Sequence, residues 1–156
     1  MRPDPIFSGS GGFSPVVELE LPATGASFID LEAGEVVPVP PDMQGNTDRE
    51  KWMAWSAENG VDLSVRAAGE NCYLGYIDAC LLSTSNTRWK SLLATLLARN
   101  RTLEEGKPGV GNFQHTKAEM PVTYLFKTRE GSLGLVQLVE FGEKQESVKI
   151  RFKRIE

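Results

Sequence analysis

The chain is poor in the residues that most often carry chemistry. One histidine and two cysteines stand among 156 residues, and no C-x-x-C pair, H-E-x-x-H helix or G-x-S-x-G elbow occurs. These absences argue against the common zinc, thiol-redox and serine-hydrolase signatures. Cys72 and Cys80 lie eight residues apart in what reads largely as a strand. An extended chain would separate them by roughly 25 Å, far beyond disulfide reach, so they are expected to be buried structural thiols. Neither a metal nor a cofactor is expected. Long apolar runs are also missing: nothing approaches the roughly 20 apolar residues of a membrane helix, and membrane insertion of this chain is not expected. Met1-Arg2-Pro3 lacks the apolar core of a signal peptide, which leaves a cytoplasmic protein or one that has lost its targeting segment. No internal repeat is present.

What is present describes one ordinary domain. Apolar content of 40% and charged content of 24% suit a chain able to bury a full core. Residues 1–14, with Pro3, Pro5, Gly9, Gly11 and Gly12, read as a flexible arm or linker remnant. A single α+β domain is expected over 15–156. The clearest strand signal lies at the end, where Val122–Gly131, Leu133–Phe141 and Val148–Ile155 are rich in β-branched and aromatic residues and are separated by Gly-containing polar turns. They read as a three-stranded antiparallel meander. Upstream, Val17, Leu19 and Leu21 alternate with Glu18 and Glu20 in the period of a half-buried strand. Phe28–Leu31 and Val36–Val39 form a hairpin signal that Pro38, Pro40 and Pro41 close. Val61–Val65 and Tyr73–Leu82 read as further strands.

Two helices are expected. Thr47-Asp48-Arg49-Glu50 forms a capping box before a helix carrying Trp52 and Trp55, which Asn59-Gly60 terminates. Trp89, Leu92, Leu93, Leu96 and Leu97 form one continuous apolar stripe at helical spacing. Glu104–Met120 reads as a long polar loop. Together these elements predict a single mainly antiparallel sheet of about five to seven strands, with both helices packed on one face.

Charge is unevenly distributed: residues 1–80 carry 13 acids and 4 bases, a balance of −9, and residues 81–156 carry 8 acids and 13 bases, a balance of +5. Mutual attraction of packed halves is the favoured reading, and an anion-facing surface is the other. Lys149, Arg151 and Lys153 alternate with apolar residues and are expected on a solvated sheet face; as an anionic-polymer site they would lack interleaved exposed aromatics. Nucleic acid is therefore an unlikely partner. Glu18/Glu20 and Asp30/Glu32 read as solvent-facing strand acids. Leu21-Pro22-Ala23-Thr24-Gly25 matches a cell-wall sorting pattern in the wrong place, ahead of the fold. Gly106-Lys107-Pro108-Gly109-Val110-Gly111 lacks the order of a phosphate loop.

The expected function is a non-catalytic binding or protein-interaction module. It would present Lys107, Gln114 and His115 in the long loop, and Arg129 and Glu130 beside the Gly131 turn, to a protein or small ligand. A small hydrolase-like enzyme using His115 with an acidic residue is the alternative, and anionic-polymer binding through Lys149, Arg151 and Lys153 is a third.

Tyr124-Leu125-Phe126-Lys127-Thr128-Arg129-Glu130-Gly131, then Gly134–Leu138 and Val148–Lys153, resemble a C-terminal module of environmental bacteria. That module often stands behind membrane-bound metallopeptidase-type or other regulatory segments. Phe28–Val37 resembles its F-x-D-L-x-x-G hairpin and Trp52–Gly60 its A-W-x-x-x-N-G helix, so the resemblance covers roughly residues 13–155. Phe152 departs from the tyrosine more usual there. The resemblance implies a domain working outside the cytoplasm, appended to an anchoring or signalling part, and it implies no activity or catalytic residue.

Overall fold

A computed structural model describes residues 12–22, 25–141 and 147–156 of the chain. Its strands are β1 (Val17–Pro22), β2 (Ala26–Asp30), β3 (Glu35–Val37), β4 (Leu63–Ala68), β5 (Asn71–Thr84), β6 (Gly109–Thr116), β7 (Val122–Lys127), β8 (Leu133–Phe141) and β9 (Ser147–Arg154). The helices are α1 (Arg49–Glu58), α2 (Arg88–Ser91), α3 (Ala94–Ala98) and α4 (Arg101–Glu104), with a 3₁₀ turn at Lys117–Glu119. All nine strands join one sheet in the order β1-β9-β8-β7-β5-β4-β2-β3, and β6 also pairs with β5. Every pairing is antiparallel.

This corrects the expected five-to-seven-stranded α+β layer with two helices on one face. The sheet curls into a nearly closed barrel around its own core, and four short helices lie outside it. The interior is filled from both halves of the sheet: Ile29, Leu63, Val65 and Leu74 meet Phe126, Val136, Leu138, Ile150 and Phe152. A second cluster seats Trp89, Leu92, Ala94, Leu97 and Leu103 against Leu125 and Leu135 on the outer face of β7 and β8. On the other half, α1 docks through Trp52 and Trp55, whose rings lie 5.2 and 5.4 Å from Phe28.

Curling depends on β5. Its first part pairs with β4 and β6 and its last residues with β7, and the register shifts between Ile77 and Ala79. Asp78 at that point has φ 53°, the left-handed region in which Asp is one of the better tolerated residues. A bulge of this kind bends a strand and increases its twist.

Several local expectations hold. The terminal meander is β7-β8-β9, with β8 between its two neighbours. The β2–β3 hairpin pairs Asp30 with Glu35, and α1 ends at Asn59 with Gly60 at φ 72°. Its N-cap is Asp48 rather than Thr47, accepting from the amides of Glu50 and Lys51. In the register of β1 beside β9, Glu18 lies opposite Arg151 and Glu20 opposite Lys149, although Lys149 pairs with Glu140 and Arg151 engages Gln137 and Trp89.

Others do not hold. The Trp89–Leu97 stripe is not one helix, because Leu92 and Leu93 are extended (ψ 124° and 145°) between α2 and α3. Leu93 and Leu96 consequently stand 55% and 51% exposed. The supposed loop Glu104–Met120 contains the eight-residue strand β6. Phe13, placed in the arm, is buried and bridges to Ile155; residues 1–11, and Ala23 and Thr24 of the sorting-like motif, lie outside the described residues.

Candidate functional site

His115 sits near the end of β6, on its inward-facing side. Burial alternates along the strand, with Gly109, Gly111, Phe113 and His115 partly covered and Val110, Asn112, Gln114 and Thr116 exposed. Phe113 stacks between Tyr76 and Tyr124, with ring centroids 5.7 and 5.0 Å away. This stack anchors β6 to β7, with which it shares no named pairing. Close approach within β5–β6 requires Gly111, since a Cβ there would run into the Tyr76 ring.

The stack brings His115 to Tyr124. Nε2 lies 2.6 Å from the Tyr124 hydroxyl, and Nδ1 a looser 3.5 Å from Glu119 Oε2. Glu119 is held in place because its other oxygen accepts from the Thr116 amide at 2.8 Å. That amide and the His115 contact keep the Glu119 carboxyl below its ordinary range and therefore ionised near neutral pH. Burial, reinforced by the Glu119 charge, pushes the Tyr124 hydroxyl up to about 12, so it stays protonated. A protonated phenol donating to Nε2 leaves Nδ1 to carry hydrogen toward Glu119. This tautomer satisfies both contacts.

These residues line one end of a cleft of about 500 Å³ whose other walls include Ser83, Thr84, Asn86, Pro121 and Thr123. Asn86 and Thr123 begin a polar chain into the sheet. The Asn86 amide donates to Pro121 O at 2.7 Å, Thr123 Oγ1 donates to Asn86 Oδ1 at 2.8 Å, Gln137 Nε2 donates to Thr123 Oγ1 at 2.9 Å, and Arg151 Nε donates to Gln137 Oε1 at 2.8 Å. Buried Thr123 and Gln137 are thereby satisfied, which fixes the cleft floor as a rigid hydrogen-bonding surface.

The other candidates lie apart. Gln114 points to the opposite face of β6, and Lys107 is exposed between α4 and β6. Arg129 lies beyond the far end of β7, largely buried. Its guanidinium donates to Val61 O (2.7 Å) and Ile77 O (3.2 Å) and pairs with Asp78 (3.2 Å) and Asp62 (3.7 Å), so it is a structural tie beside the β5 bulge. Glu130 is exposed next to it. Lys149, Arg151 and Lys153 are half-buried rather than solvated. Lys149 faces Glu140 at 3.7 Å, Arg151 stacks over Trp89 at 4.3 Å, and Lys153 donates to Trp89 O at 2.6 Å. Cys72 and Cys80 are free thiols, Cys72 buried and raised to about 11 by that burial. Among the described residues, no three His, Cys, Asp or Glu side chains converge on a possible metal position.

The sequence reading missed Tyr124, Glu119, Asn86 and Thr123. A signal existed for Glu119: Thr116-Lys117-Ala118-Glu119 has the T-x-x-E spacing that ends a strand and begins a turn, four residues after His115. Nothing in the sequence pointed to Tyr124, because its pairing with His115 is made by curvature. No protein-family model matches the chain, and neither a curated protein nor a solved structure shows significant similarity to it.

Proposed function

We propose that this chain is a non-catalytic binding module whose ligand enters the His115 cleft. The observation that carries this reading is the state of the Tyr124–His115–Glu119 trio. A nucleophile ready to react near neutral pH is activated by an adjacent base or a lowered pKa. The hydroxyl on His115 is instead a buried tyrosine raised to about 12, occupying the nitrogen that an activated serine would need. Ser83, Thr84 and Thr123 line the cleft, but no hydrogen bond joins any of them to His115 among the described residues. The trio therefore reads as a rigid wall. Its fixed hydroxyl and amide groups suit a small polar ligand, uncharged or cationic, because Glu119 is the one carboxylate among the described lining residues. The resemblance of the C-terminal strands adds the proposal that the module works outside the cytoplasm beside an anchoring or signalling part.

Ligand-observed NMR against a panel of polyols, amino acids and small amines tests this reading. Chromogenic ester, amide and phosphate substrates should be assayed in parallel. The expected result is a hit that weakens at least tenfold in Thr84→Val or Glu119→Gln, with no turnover. Turnover abolished by His115→Ala would replace the binding reading with the hydrolase.

A further inference from the structure

The broken helix creates a second surface, independent of the His115 cleft. Residues 88–101 contain Arg88, Lys90, Arg99 and Arg101 and no acid, in a chain of net charge −4. Between these cations stand Leu93 and Leu96, 55% and 51% exposed. The buried side of the same stretch, Trp89, Leu92, Ala94 and Leu97, is seated on Leu125 and Leu135. Its outward side therefore combines two uncovered leucines with a cationic surround. Arg88 and Leu96 line one cleft of about 280 Å³ floored by Leu92 and Leu125. Arg101 pairs with Glu105 at 3.2 Å on the open surface, whereas Arg88, Lys90 and Arg99 have no ion pair among the described residues. The contrast with Lys149, Arg151 and Lys153, all engaged within the fold, identifies which cations are free to meet an outside anion.

We propose that residues 88–101 form a docking surface for an anionic lipid bilayer. Leu93 and Leu96 would enter the headgroup region while Arg88, Lys90 and Arg99 contact lipid phosphates and carboxylates. Apolar side chains flanked by Lys and Arg are the composition of an interfacial anchor, whose binding adds apolar burial to attraction for acidic lipid. A bilayer also fits the shape. The segment presents short elements around a cleft of about 280 Å³, and a fluid surface requires no complementary relief.

Co-sedimentation of the full chain with vesicles tests the proposal, using equal parts phosphatidylserine and phosphatidylcholine and, separately, phosphatidylcholine alone. The protein is expected to pellet with the mixed vesicles only, and to be released as salt shortens the range of the attraction to about 3 Å near 1 M. Leu93→Ser with Leu96→Ser, and separately Arg88→Gln with Lys90→Gln and Arg99→Gln, should each lower partitioning about tenfold or more. All five side chains are exposed, so the melting temperature should hold and serves as the folding control. Failure to bind the mixed vesicles, equal binding to neutral vesicles, or binding unchanged in both variants would overturn it. So would binding of polyglutamate without binding of vesicles, which would assign the patch to an acidic protein.

Discussion

At the scale of single residues, the contact that organises the candidate site is made by a phenol that stays protonated. Tyr124 keeps its proton and holds His115 by donating to it, so the hydroxyl contributes a hydrogen bond without a reactive oxygen. Tyr124→Phe preserves the stack on Phe113 and deletes only that bond. It should cost about 1 kcal/mol, with the added penalty of an unpaired imidazole nitrogen at a 13% exposed side chain bringing the total toward 2. Denaturant unfolding would measure this, and a loss well under 0.5 kcal/mol would mean that the hydroxyl is replaced by water. His115 itself was legible as a candidate because it is the one histidine. Its partners were not, since Tyr124 reads from sequence as a meander core residue and Glu119 as loop filler.

At the scale of elements, the α2–α3 break decides which leucines are core. Leu97 is 1% exposed, and a charge placed there would be buried without a partner. Leu97→Asp should therefore cost several kcal/mol, a large part of a typical domain stability of about 5–15 kcal/mol. Leu93→Asp at 55% exposure should stay within about 0.5 kcal/mol. Equal losses in the two variants, measured by thermal and denaturant unfolding, would restore the continuous helix. Gly134 gives a second test. It lies on β8 between Phe126 and Arg154 in the register, and a Cβ there would collide with the Lys153 carbonyl and the Phe126 ring. Overpacking of a core typically costs about 1–3 kcal/mol. Because one obstacle is backbone, Gly134→Ala should reach the upper end of that range, read as a shift in the denaturant midpoint.

At the scale of the whole molecule, the junction beside the β5 bulge is where the two halves of the sheet are tied. Asp62 is fully buried, accepts from the Leu31 amide at 2.8 Å and stands 3.7 Å from Arg129. Burial is the dominant influence and pushes its carboxyl up to about 7, against the opposing pull of the Leu31 amide and Arg129. A folded-state value above the ordinary 3.8 means that the folded protein binds a proton the unfolded chain has released between about pH 4 and 7. Stability from this group is thus complete below about pH 4 and is lost as pH rises through 7, by up to about 1.4 kcal/mol per pH unit within that window. Urea unfolding at a series of pH values should show the decline, and Asp62→Asn, which retains an acceptor for Leu31, should flatten it. A wild-type profile flat from pH 5 to 8 would show that Arg129 keeps Asp62 ionised.

Local pattern was sufficient for the strands whose apolar residues alternate or cluster strongly, β1, β2, β5 and the β7–β9 meander. It was also sufficient for the end of α1, where Asn59-Gly60 supplies the left-handed exit at Gly60. Tertiary structure decided the rest. On β6 the inward positions are Gly109, Gly111, Phe113 and His115, a single large apolar residue among four, so no hydrophobic period marks it and only pairing with β5 makes it a strand. The leucine-rich stretch has a helical period, yet the seat on β7 and β8 takes Trp89, Leu92, Ala94 and Leu97 while Leu92–Leu93 run extended. Periodicity reports which residues are apolar, whereas the shape of the receiving surface determines which of them are covered. The His115–Tyr124 contact is of the same kind: nine residues apart in sequence, the two side chains meet because the sheet curls back on itself, and nothing local encodes that curvature.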